Sequence, residues 1–174
     1  MSPIFILKDS PNIFKTGPNM DAAKIIKEIE GAVIARGCFI VDLRISGDND
    51  IELVIESEEG IVDMEDCVAV NNAFIEIFNR DEEDYSLTVS SAGLDKPFKI
   101  LKQFKKAVGS PVEVKFKGGK KLVGILTGAE EAEISLDYEE MEAVEGKKKK
   151  EKVKRSEVFP MTEINSVAPH IEFE

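Results

Sequence analysis

The sequence predicts an α+β protein: an N-terminal α-β-β-α-β sandwich domain followed by a small C-terminal β-barrel of the SH3-like or Sm-like kind. Three observations carry this. Apolar residues recur at helical spacing over 21–36 and 63–78, with alternating runs between and after them. Beyond residue 110 the pattern shortens to about five strand-like runs punctuated by glycine-bearing turns. Charge divides at the same place: residues 1–98 hold 8 Lys/Arg against 20 Asp/Glu, and residues 99–174 hold 15 against 14. An acidic half joined to a mixed half indicates two domains meeting near Pro97.

Taken in order, residues 1–19 contain three prolines, a glycine and no sustained period, so an N-terminal extension without fixed order is expected. The N-terminal domain is assigned to 20–91. Its first helix runs from Asp21 to Arg36, with Ala22, Ile25, Ile26, Ile29 and Val33 on one apolar face and Gly37 ending it. Phe39–Ile45 and Ile51–Glu56 flank the turn Gly47-Asp48-Asn49-Asp50, which makes a hairpin. Asp63 or a neighbour caps a second helix whose face is Cys67, Val70, Phe74 and Ile77 or Phe78; acidic side chains at its start suit the helix dipole. Tyr85–Ser91 is the third strand. Two helices on one face of a three-stranded sheet is also the shape of a KH-type RNA-binding domain. The Gly-X-X-Gly clamp that such a domain needs does not occur between residues 20 and 90.

The C-terminal domain, 98–174, reads as strands Val112–Lys117, Lys120–Leu126, Glu133–Asp137, Val158–Met161 and His170–Phe173, with a hairpin turn at Lys117-Gly118-Gly119. Gly124 and Gly128 suit bends of a small closed sheet. Residues 122–146 hold eight acids and no base, and Lys147–Lys150, Lys152, Lys154 and Arg155 follow. An acidic arm running out and a basic arm returning can pair across a long hairpin, so this cluster is read as a solvated arm.

Between the domains, residues 92–97 form a linker within Ser90-Ser91-Ala92-Gly93-Leu94-Asp95-Lys96-Pro97-Phe98. Gly93 permits a turn closed to other residues, and Pro97 suits the first position of a helix carrying Phe98, Leu101, Phe104 and Val108. Lys96 is then a poor N-cap, with Asp95 facing the unpaired amides. A linker needs Gly and Pro but has no need of Asp-Lys.

These nine residues resemble the S-P-G-L-D-R-P-L signature of the bacterial ribosome maturation factor RimP family. Ala92 stands for the family's proline, Lys96 for its arginine and Phe98 for its leucine. Gly60-Ile61-Val62-Asp63-Met64-Glu65-Asp66-Cys67 resembles the family's Gly-Ile-x-x-x-Asp-Cys helix entry, and the resemblance runs from about Met20 to the C-terminus. It implies a cytoplasmic assembly factor that binds an immature small ribosomal subunit transiently, needs no cofactor and ends in a small barrel.

Composition agrees with that class. No apolar run approaches membrane-spanning length, and Ile4-Phe5-Ile6-Leu7 is too short for a signal-peptide core. Cys38 and Cys67 sit in apolar periodic segments and are read as buried free thiols. His170 is the only histidine, and no Gly-x-Ser-x-Gly, Walker-type loop, Cys-x-x-Cys or His-based metal spacing occurs. The chain is therefore read as a non-enzyme, with no catalytic residue, metal site or cofactor assigned.

The expected partners follow from charge. From residue 99 to 121 eight lysines face one acid, Glu113. Lys99, Lys102 and Lys106, spaced to share a helix face, are assigned together with Asp95 and Lys96 to partner contact, the lysine face to rRNA phosphates. Ser90, Ser91, Gly93, Leu94 and Pro97 are assigned to the interdomain motif. The acidic half is matched to a basic small-subunit ribosomal protein. No membrane contact is expected, and a monomer is. A free-standing Sm-like module acting on messenger or small RNA is the alternative; it would need aromatic or basic base-stacking sites.

Overall fold

The computed structural model describes residues 11–15, 20–146 and 148–171. Among the described residues the chain divides into two compact units, 11–93 and 94–171.

In the first unit Asp21 caps helix α1 (Ala22–Ala35), its Oδ1 accepting from the amides of Ala23 at 3.0 Å and Lys24 at 3.4 Å. Gly37, at φ +68°, turns the chain out of the helix into β2 (Cys38–Ile45). A tight turn returns it through β3 (Asp50–Ser57). Helix α2 (Met64–Ile77) begins with a reciprocal cap: Asp63 accepts from the Asp66 amide at 2.8 Å, and Asp66 accepts from the Asp63 amide at 3.2 Å. Strand β4 (Ser86–Ser91) closes the unit.

The sheet has four strands rather than the expected three. The fourth, β1 (Asn12–Lys15), lies inside the N-terminal extension, to which the sequence assigned no element. It pairs parallel with β2, Asn12 opposite Asp42 through Lys15 opposite Ile45; residues 1–10 and 16–19 lie outside the described residues. The order is β1-β2-β3-β4, with β2 antiparallel to β3 and β3 parallel to β4. Both helices cover one face. Ile25, Ile29 and Val33 of α1 and Val70 and Phe74 of α2 share a core with Leu43, Ile45, Ile51, Leu53 and Ile55. Phe78 rather than Ile77 completes the α2 contact: Phe78 is buried while Ile77 is 42% exposed. Beside it, the Tyr85 hydroxyl donates to the Phe78 carbonyl at 2.5 Å, and its ring meets that of Phe74 edge-on.

The second unit packs the short helix α3 (Leu101–Ala107) with five antiparallel strands: β5 (Pro111–Phe116), β6 (Lys121–Ala129), β7 (Glu133–Ala143), β8 (Lys150–Pro160) and β9 (Ile164–Pro169). The order is β8-β7-β6-β5-β9. Leu101 and Phe104 join Val112, Val114, Leu126, Ile134 and Leu136 in one core. A closed barrel requires the two outer strands to pair. Among the described residues no pairing joins β8 to β9, so the architecture found is an antiparallel five-stranded sheet.

Two strand positions differ from expectation. The last strand is Ile164–Pro169, not His170–Phe173: Ile164 and Val167 supply its buried residues, and it pairs with β5 from Val112↔Pro169 to Phe116↔Ile164. Residues 172–174 lie outside the described residues. The Val158–Met161 run is the end of an eleven-residue strand, and β7 likewise continues past Asp137 to Ala143. Together these extensions form the long hairpin expected from the acidic and basic arms, although the low β-propensity of Glu and Lys kept them out of the strand bounds. The Lys117-Gly118-Gly119 turn stands as expected, with Gly119 at φ +92° and its amide donating to the Phe116 carbonyl at 2.9 Å.

Candidate functional site

Ser90 and Ser91 end β4, opposite Val54 and Ile55 of β3, and the Ala92 amide donates to the Ile55 carbonyl at 3.0 Å. The chain then leaves the sheet. Gly93 is not among the glycines with positive φ, so its use here is not the left-handed turn that sequence suggested. Leu94 and Asp95 form a turn, followed by Lys96 and Pro97, and all four side chains are exposed; Leu94 is 61% exposed. Neither Asp95 nor Lys96 has an ion-pair or hydrogen-bond partner among the described residues. The motif therefore presents one carboxylate and one ammonium, side by side, to solvent.

The helix after the motif starts later than expected. Pro97 does not open it, and Asp95 does not face its first amides. The Phe98 amide donates to the Val167 carbonyl at 2.8 Å, which ties Phe98 to β9, and no residue before Leu101 is helical. Ile100 is the N-cap, and its side chain has no acceptor to offer. Gln103 fills that role from inside the helix: its Oε1 accepts from the amides of Lys99 at 2.6 Å and Ile100 at 3.2 Å. Gln103 is buried and was not singled out from sequence. The available signal was a Gln three residues beyond the last non-helical position, the spacing of a reciprocal cap.

This later start moves Lys99 off the helix. Lys102 and Lys106 remain on α3 and are half-buried, while Lys99 stands exposed before it. Lys105 and Lys106 occupy the last turn, where positive charge complements the helix dipole. The β5–β6 hairpin adds Lys115, Lys117, Lys120 and Lys121, all exposed, with Glu113 4.0 Å from Lys115.

In the first unit the second signature maps to the start of α2. Asp66 accepts from the Asp63 amide and pairs with Arg36 at 2.9 Å, and these hold its carboxyl below the usual range. Burial, then the neighbouring Asp66 charge, pushes the Cys38 and Cys67 thiols upward. Among the described residues no group of three His, Cys, Asp or Glu side chains is placed to hold a metal ion. No helix of the described residues is long and apolar enough to cross a membrane.

The two signatures thus occupy a helix entry and the turn that leaves the sheet. The RimP N-terminal domain family model matches residues 28–95, ending on that turn. A ribosome maturation factor RimP of Christiangramia forsetii is 33% identical over 135 residues, covering 78% of this chain and 87% of the relative. The chain belongs to the RimP family. RimP proteins of Porphyromonas gingivalis (31% over 132 residues; 75% of this chain, 86% of theirs) and Flavobacterium psychrophilum (27% over 134 residues; 76% and 86%) are similar over comparable spans. These alignments are longer than the first unit, so the likeness to RimP relatives extends beyond the N-terminal domain.

Proposed function

We infer that this chain acts in ribosome maturation, the role its family is named for, and that the particle it serves is the immature small ribosomal subunit. The observation carrying this is the family match ending on an exposed Asp95-Lys96 turn whose charges have no partner within the described residues. An unpaired surface carboxylate and ammonium contribute little to the fold, so their value lies with something outside the chain. Lys96 suits an rRNA phosphate or a ribosomal-protein carboxylate as a point charge. The acidic half of the chain suits a basic small-subunit ribosomal protein, and Lys99, Lys102 and Lys106 suit the adjoining rRNA.

The mechanism requires no bond to be made or broken, and the protein acts as a non-enzyme in the cytoplasm. Preferential binding to a competent assembly intermediate raises that intermediate's population, and release follows when the bound surface is covered. The residues 92–97 linker separates the two domains, and the second adopts the strand order of an SH3-like barrel left open between β8 and β9. The free-standing Sm-like reading is not favoured: Phe74, Phe78 and Phe104 are buried in the cores, and Phe116 and Phe159 pack against the second.

Sedimentation of cell extract tests the reading directly. Co-migration with immature small subunits is expected, and Lys96→Ala is expected to weaken it while leaving thermal unfolding unmoved. A protein that stays at the top of the gradient, or a Lys96→Ala variant that co-migrates as the wild type does, contradicts it.

A further inference from the structure

The β7–β8 hairpin extends beyond the rest of its sheet. Strand β6 accompanies β7 only as far as Ile125 opposite Asp137, whereas β7 and β8 stay paired from Glu133↔Pro160 out to Ala143↔Lys150. The five pairs beyond buried Tyr138 form a free two-stranded ribbon about 17 Å long. From composition alone it is an acidic strand beside a basic one, neutralising itself. The register shows a different arrangement.

Side chains of directly opposed residues lie on the same face, and successive residues alternate. Buried Tyr138 fixes which face continues the core side: Tyr138↔Arg155, Glu140↔Val153 and Glu142↔Glu151. The other face carries Glu139↔Lys154, Met141↔Lys152 and Ala143↔Lys150. One face thus holds three carboxylates and a guanidinium, the other three ammonium groups and one carboxylate. The ion pairs obey the same division. Arg155 reaches Glu140 at 3.4 Å and also Glu142, all on the core-side face, and Lys152 reaches Glu139 at 3.5 Å on the other. Lys150 and Lys154 have no partner among the described residues. The acidic arm therefore neutralises the basic one only in part. The ribbon is two-faced, acidic and internally paired on one side, basic and incompletely paired on the other.

We propose that the basic face of this ribbon, Lys150, Lys152 and Lys154, is a phosphate-contact surface for structured RNA. Two extended strands are slim enough to lie along a groove or across a backbone, and lysines on alternate residues stand about 7 Å apart in a row. A row of ammonium groups, of which only Lys152 is paired, displaces counterions from phosphates, the sequence-independent source of RNA affinity. The exposed Met141 between them offers apolar contact to a sugar edge without a base-stacking ring. The acidic reverse face repels a second strand of RNA, which gives the ribbon one binding side. This surface rests on the ribosomal reading for its biological target, but it is separate from the linker motif and from α3.

The test uses the full chain with a short RNA duplex, measured by fluorescence anisotropy across a salt series. The variants are Lys150→Gln/Lys152→Gln/Lys154→Gln, the arginine triple at the same positions, and Glu140→Gln/Glu142→Gln on the reverse face. Expected are a salt slope shallower by about two in log–log terms for the glutamine triple, near wild-type binding for the arginine triple, and no weakening for the reverse-face pair. An unchanged slope in the glutamine triple overturns the proposal, as does equal loss in the arginine triple, which would mean that the ribbon had lost its form. Polyglutamate that competes with the duplex at matched charge also overturns it, since the face would then fit an acidic protein. Gradient co-migration of wild type scores the ribosomal reading on its own: its absence refutes that reading while the duplex assay still decides the ribbon.

Discussion

Two glycines on β6 look alike in the sequence and differ in the fold. A Cβ at Gly124 would stand 2.6 Å from the Asp137 carbonyl oxygen and 3.0 Å from the Tyr138 Cβ, the first on a residue paired with β6 and the second in the core. A Cβ at Gly128 would find only the Ser135 side chain, its nearest atom at 3.4 Å. Backbone cannot step aside as a rotamer can, so Gly124→Ala is expected to destabilise the second unit by about 1–3 kcal/mol, and Gly128→Ala by under about 1 kcal/mol. Urea unfolding of the two variants checks this; equal midpoints would contradict it. Sequence reading placed bends at both residues, because it sees composition and not distance. The same limit applies to Gly93, read as a left-handed turn from its type alone, whereas the dihedral belongs to the path the chain takes off β4.

Elements were legible wherever a local signal spoke for itself. An apolar face ended by Gly37 announced α1, acidic residues about Asp63 announced α2, and Gly47–Asp50 announced the first hairpin, all short-range signals. Helix α3 was not legible in its start, because the bond holding Phe98 extended comes from Val167, 69 positions later. Its cap is then supplied backward by Gln103. Gln103→Ala would leave the Lys99 and Ile100 amides without that acceptor beside a buried side chain, at a cost of about 1–2 kcal/mol. Thermal or urea unfolding should show the loss, and a variant as stable as wild type would remove Gln103 from the capping role. For the lysine surface, the later start leaves Lys102 and Lys106 on the helix and sets Lys99 on the extended segment leading in. Sequence found these residues and mistook the scaffold under one of them. The long β7–β8 ribbon was legible as pairing between opposite charges. The division of those charges between two faces needed the register, which no count of Glu and Lys contains.

At the scale of the molecule, two cores hold two units, and the alternation that predicted α+β architecture is visible in both. The family was legible from the two short signatures, and the match over residues 28–95 includes Gly60–Cys67 whole and the linker signature up to Asp95. The contribution of the first residues to the sheet was not. Strand β1 comes from a stretch rich in proline and poor in pattern, yet it lies along Asp42–Ile45 of β2. An apolar eight-residue strand with an open flank is a template for another copy of itself. In that light β1 is a partial guard: it takes the flank of Asp42–Ile45, half of β2, which another molecule's strand would otherwise meet. A chain begun at Met20 should keep its helices by circular dichroism, since α1 and α2 do not depend on β1. In analytical ultracentrifugation it should form dimers and larger species with rising concentration where the full chain does not. A truncated chain that remains monomeric at every concentration would show that the flank needs no such guard. If the guard holds, the unpatterned leading residues set the solubility of the whole chain.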